Sequence, residues 1–128
     1  YNAGLNSKVS FLKRIIRFFD AYINITGYHV YELNLNDKII NVKQSMFLRP
    51  YSNILFFLEF LKIRRIKKAM LYAAKNGKVF HLWWHPHNFG VNQKKNLANL
   101  NKIMNYYKQL RIKYNFESLN MNDVVNGA

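Results

Sequence analysis

Residues 81–90 read HLWWHPHNFG, which sets three histidines, two adjacent tryptophans, a proline and a glycine in ten positions. Imidazole titrates near neutrality, so a histidine can pass a proton or, through a ring nitrogen, bind a metal ion. His85 and His87 form H-x-H, and His81 and His85 form H-x-x-x-H. On a strand the second spacing separates the side chains by roughly 13 Å, too far for one ion. Three roles therefore stay open for His85. It can act as a general acid or base, ligate a metal with His87, or sit hydrogen-bonded in the loop at the strand end.

The period of two in a strand sorts this stretch into two faces. Phe80, Leu82 and Trp84 point one way and should pack under helices, with Trp84 in the core. His81, Trp83 and His85 point the other way and suit the lining of a cleft or a barrel lumen. Pro86 disfavours the α conformation at His85, so His85 is expected extended at the C-terminal end of the strand. In α/β folds that edge is where ligands bind. The loop that follows starts rigidly at Pro86 and has Gly90 as a pivot.

The elements that must carry this strand alternate. Ser7 or Ser10 can cap a helix reaching about Asn24, with Phe11, Leu12, Ile15, Phe19 and Tyr22 on one face. Gly27 stops it, and YHVYELNL over 28–35 reads as a strand. Asn36-Asp37 reads as a turn, and 39–43 as a second extended piece. Arg49-Pro50 breaks the chain before a helix over about 53–75. Its expected buried stripe is Ile54, Leu55, Leu58, Leu61, Ala69, Tyr72 and Ala73, with Arg64, Lys67, Lys68 and Lys75 on the far side. Asn76-Gly77 ends it through a left-handed residue. KVFHLWW (78–84) is the clearest strand, and 94–114 a third helix with Leu97, Leu100, Ile103, Met104, Tyr107 and Leu110 inward. FESL (116–119) reads as a last strand, and Asn120 or Asn122 as the cap of a final turn. This order, α-β-α-β-α-β and a short helix, predicts an α/β fold with parallel strands in one domain.

Composition narrows the partners. The chain has 128 residues, no cysteine, and a net charge of +14 from 20 basic and 6 acidic side chains. Disulfide and thiolate chemistry are excluded. The longest apolar run, ILFFLEFL at 54–61, carries Glu59 and precedes Lys62, so no transmembrane segment is expected. The charge points to nucleic acid, an anionic membrane surface or an acidic polymer, or to a solvated basic face. The basic residues fall opposite the apolar stripes and do not cluster with aromatics, so no specific nucleic acid is expected as partner. A start at Tyr1 without a methionine reads as a piece of a longer chain.

The runs FLRPYS, KKAMLYAAKNGKVFHLWWHPHNFG, NLANLNKIM and ESLNM together resemble the polysaccharide deacetylase family, in particular members of surface-polysaccharide biosynthesis. The resemblance covers nearly the whole chain and is strongest from Arg49 to Met121. It implies the C-terminal portion of a distorted (β/α) barrel. It also implies a divalent metal, zinc or similar, held by an Asp-His-His set, and a reaction that removes N-acetyl groups from a sugar or polysaccharide. His85 matches the late-strand histidine that serves the family as general acid.

The sequence departs from the family pattern at several points. Trp83 stands where the wider family has leucine, and no D-x-x-D-W segment is present. There is also no T-F-D-D strand and no H-x-x-x-H helix. The resemblance therefore implies that the metal ligands lie in a missing N-terminal half, and that this chain alone does not catalyse. The candidate site residues are His85 as the acid and Trp83, His87 and Arg49 for the substrate, with no metal ligand in the chain. Trp83 can stack on a sugar ring or fill the lumen. Arg49 can clamp a substrate oxygen or make a structural ion pair. Glu117 can orient His85 or lie exposed. The expected location is cytoplasmic, with a membrane-associated position as the alternative. The rival function is a non-enzymatic basic module that binds nucleic acid or an anionic membrane surface.

Overall fold

The computed structural model describes residues 3–32 and 42–125, with the side chains of 3–10, 121 and 125 left aside. In chain order it contains α1 (Ala3–Asp20), β1 (Met46–Phe47), α2 (Glu59–Lys75), β2 (Leu82–Trp83), α3 (Gln93–Tyr114) and α4 (Met121–Val125). β1 and β2 pair in parallel, with Met46 opposite Leu82 and Phe47 opposite Trp83. The connection between them runs through α2. The described chain is thus α-rich around a small parallel sheet, an α/β arrangement built on one β-α-β unit.

The helix stops follow from local chemistry. After α2, Asn76 and Gly77 turn the chain, with Gly77 at φ +59° and the Lys78 N–H donating to the Ala73 carbonyl at 2.9 Å. A left-handed residue there satisfies the last carbonyls of the helix, as the sequence predicts. Asn115, at φ +52°, ends α3 in the same region of backbone space. Before α4, Asn120 and Asp123 cap each other. The Asp123 N–H donates to Asn120 Oδ1 at 3.0 Å and the Asn120 N–H to Asp123 Oδ2 at 2.9 Å. Of the two expected caps, Asn120 is the one used.

Several expectations are corrected. α1 runs through Ser7 and Ser10 and ends at Asp20, short of Asn24. The Asp20 carboxylate accepts the N–H groups of Ile25 and Thr26 at 2.9 and 2.8 Å, which folds the chain into a turn before Gly27. The strand expected at 28–35 appears, within its described part, only as an antiparallel bridge between Tyr31 and Val79. The rest of it lies outside the described residues, as do Asn36-Asp37 and 39–41. Residues 42–43 are not in a strand, and the actual partner of β2 is Met46–Phe47. FESL is no strand, because no described segment pairs with it. Phe116 instead packs on Tyr107 with ring centroids 6.2 Å apart.

The core lies between the sheet, α2 and α3. It gathers Met46, Leu48, Ile63, Ile66, Ala69, Met70, Phe89, Ile103 and Leu110. Ala69 and Ala73 are buried as expected, but the rest of the α2 stripe is rotated toward Ile63, Ile66 and Met70. Ile54 is 84% exposed, since the α-helix starts only at Glu59, after a 3₁₀ turn at Phe56–Leu58. In α3, Ile103 and Leu110 are buried while Leu97 and Met104 face solvent. Trp84, expected in the core, is partly exposed and stacks on Phe89 at 5.9 Å.

Candidate functional site at the end of the second strand

Two parallel strands present their C-terminal ends at one edge, and there the aromatic residues collect. Phe47 and Trp83, partners in register, bring their rings to 4.5 Å. Two residues beyond Trp83, His85 has φ −95° and ψ 123°. This is the extended backbone that Pro86 demands of its predecessor. Pro86 then opens a 3₁₀ turn, Pro86–Phe89, and Phe89 anchors that turn in the core.

The exposed His85 ring is held on three sides. Trp83 meets it edge-on at 5.1 Å and 89°, Phe47 lies at 5.9 Å, and His87 stacks on it at 5.2 Å and 23°. Trp83 and Phe47 limit the orientations of the ring, and the residue as a whole is exposed. Such an arrangement can deliver a proton to a group bound above the sheet edge. His81 lies four residues earlier, just before β2. Its N–H donates to Ser45 Oγ at 3.0 Å, and its Nδ1 is buried without a partner among the described residues.

Arg49 follows β1 by two residues, as His85 follows β2. Its guanidinium, however, lies over the Phe18 ring of α1 at 5.5 Å, and its carbonyl accepts Lys62 Nζ at 2.9 Å. The structure thus brings His85, His87 and Trp83 together and directs the Arg49 side chain to α1. Glu117 is exposed.

Two buried charge networks support these elements, and neither is apparent in the sequence motifs. Arg65, with a side chain 2% exposed, donates from Nη2 to the Asp20 carboxylate at 3.1 and 3.2 Å. The same nitrogen reaches the Gly27 carbonyl at 2.6 Å, and Nε reaches the Asp20 carbonyl at 2.8 Å. Burial pushes the Asp20 carboxyl upward. The N–H groups of Thr26 and Ile25, the Thr26 hydroxyl and the Arg65 charge outweigh it, and Asp20 titrates below its ordinary value.

In the second network Lys62 pairs with Glu59 at 2.7 Å, and Asn99 of α3 donates to Glu59 Oε2 at 2.6 Å. Burial holds the Lys62 ammonium below the usual lysine range, and Arg49 adds to this, against the opposing pull of Glu59. Nearby, Asn96 of α3 accepts the Tyr51 N–H at 2.6 Å and donates to the Val91 carbonyl at 2.8 Å. The available signal was the spacing of Glu59, Lys62 and Arg65, charges three residues apart that continue the phase of the buried Ile66 and Ala69.

Among the described residues no three His, Asp or Glu side chains come together to hold a metal ion. His85 and His87 are two ligands at most, Asp20 is engaged by Arg65, and Asp123 caps α4. These residues do not fit the divalent metal that the resemblance implies. No family model matches the chain, and neither a curated protein nor a solved structure matches it.

Proposed function

We propose that this chain supplies the acid-bearing strand of a metal-dependent carbohydrate N-deacetylase, as part of a larger (β/α) barrel. His85 is the general acid, and the metal-holding residues belong to segments outside these 128 residues. The observation that supports the reading is the placement of His85: extended, exposed, and walled by Trp83, Phe47 and His87 at the C-terminal edge of a parallel pair.

When an N-acetyl group is hydrolysed, the C–N bond breaks and the amine leaves. An amine anion is far too basic to depart, so its nitrogen must gain a proton as the bond lengthens. Protonated His85 gives that proton and is left as neutral imidazole. Trp83 offers a flat face beside it on which a sugar ring can stack, and His87 supports the ring of His85 from the other side. The metal, held elsewhere, would supply electrostatic activation of the water and carbonyl. Arg49, with its side chain over Phe18, is left out of substrate binding.

The test is His85→Ala in the intact enzyme with its metal-binding segments. N-deacetylation of an N-acetylated sugar should fall by about 10²–10⁴-fold, the usual worth of a positioned proton donor. Metal stoichiometry should not change. Loss of the metal together with activity would make His85 a ligand and overturn the assignment.

A further inference from the structure

A groove of about 550 Å³ opens between α2 and α3, with Phe60, Leu71 and Tyr106 among its walls. Four cations, Arg64, Lys67, Lys68 and Lys102, stand around the same groove. None of them joins an ion pair among the described residues, and Lys67 lies over the Tyr106 ring at 5.1 Å. The single carboxylate in the lining, Glu59, is already engaged by Lys62 and Asn99. The free charge of the groove is therefore positive.

Along α2 the residues Phe60, Arg64, Lys67 and Leu71 recur at helical spacing and share one face. Phe60 is 69% exposed, and immediately before it Phe56 and Phe57 are 64% and 63% exposed. Phe60 lines the groove, and Phe56 and Phe57 are exposed on the turn that leads into the same helix. The four cations have no ion pair among the described residues, so this segment suits a partner that is both apolar and anionic. Here, unlike the expectation from the sequence, basic residues do cluster with the aromatic Phe60 and Tyr106. A single-stranded nucleic acid would meet the cations and stack on a ring, but it would leave the aliphatic Ile63 and Leu71 of the same groove unmatched. A lipid surface meets both.

We propose that this face docks the protein on the surface of an anionic phospholipid bilayer. Phe56, Phe57 and Phe60 enter the boundary between headgroups and acyl chains. Arg64, Lys67, Lys68 and Lys102 sit on the lipid phosphates above it. The net charge of +14 draws the chain to such a surface. No helix among the described residues is long and apolar enough to cross a membrane.

The test is co-sedimentation of the full chain with vesicles of phosphatidylcholine alone and with one-third phosphatidylglycerol. Partitioning should require the anionic lipid and weaken with salt. Changing Arg64, Lys67, Lys68 and Lys102 to Gln should lower it by about a hundredfold or more. Phe57→Ser with Phe60→Ser should lower it by about tenfold or more. A charge-matched control, with Lys13, Lys43, Lys108 and Arg111 changed to Gln, should lose only about a few-fold, because those residues lie outside the groove. Circular dichroism checks that every variant keeps its helices. Equal loss in the groove and control quartets would overturn the proposal. So would equal binding to both vesicle types, or a groove quartet that loses binding to poly(U) RNA while keeping its vesicles.

Discussion

His85 owes its position to its neighbours more than to its own hydrogen bonds. Pro86 fixes its backbone, and Trp83 limits its ring through an edge-on contact at 5.1 Å. Trp83→Ala should therefore reduce turnover on a saturating N-acetyl sugar by about tenfold or more, and Trp83→Phe should restore most of it. A charge far from the site gives a second prediction. Arg65 is buried against Asp20, and a buried pair that loses one partner costs about 3–5 kcal/mol. Urea unfolding of Asp20→Ala should show a loss of about that size. Because Asp20 titrates below its ordinary 3.8 when folded, its stabilisation is complete above pH 3.8 and is lost as pH falls through the folded value. Asp20→Asn should flatten the acid limb of stability below pH 3.8 and leave the neutral range without a slope of its own. At this scale the sequence was uneven. The dipeptide His85-Pro86 states its conformation locally, whereas Asp20 and Arg65 meet across 45 positions with no motif to announce them.

Among the elements, ends were more legible than faces. Asn76-Gly77 and Asn120 act through bonds a few residues long, so their roles can be read from the sequence. The phase of the α2 stripe cannot, since it depends on which residues α3 and the sheet offer. Glu59, Lys62 and Arg65 turn inward because Asn99, the Arg49 carbonyl and Asp20 receive them. The strands were hardest to bound, because a strand exists only where a ladder partner stands beside it. A glycine pair checks the reading of the ends. A Cβ at Gly77 would meet nothing within 4 Å, so Gly77→Ala costs only the strain of φ +59°, about 1 kcal/mol, and Gly77→Asn less. Gly90 has φ −59°, ordinary helical backbone that any residue adopts, and so is not the pivot its place in the sequence suggested. A Cβ there lies 3.4 Å from the His87 carbonyl, and Gly90→Ala should be near neutral in thermal unfolding.

For the whole molecule, the unpartnered surface is the dominant fact. Among the described residues, Phe11, Leu12, Ile16 and Phe19 of α1 are exposed and the sheet has two strands. Both features leave apolar area and strand edges open. Purified alone, the chain should self-associate with rising concentration. Light scattering that shows a stable monomer throughout would contradict this. The central claim, that His85 protonates a departing nitrogen, is tested most directly by changing the leaving group. A sugar N-acetyl group leaves as an amine and needs the proton, whereas an aryl acetate leaves as a stable phenolate and does not. In the intact enzyme His85→Ala should therefore lose about 10²–10⁴-fold on the N-acetyl sugar and only about a few-fold on the aryl acetate. Equal losses on both substrates would contradict the account.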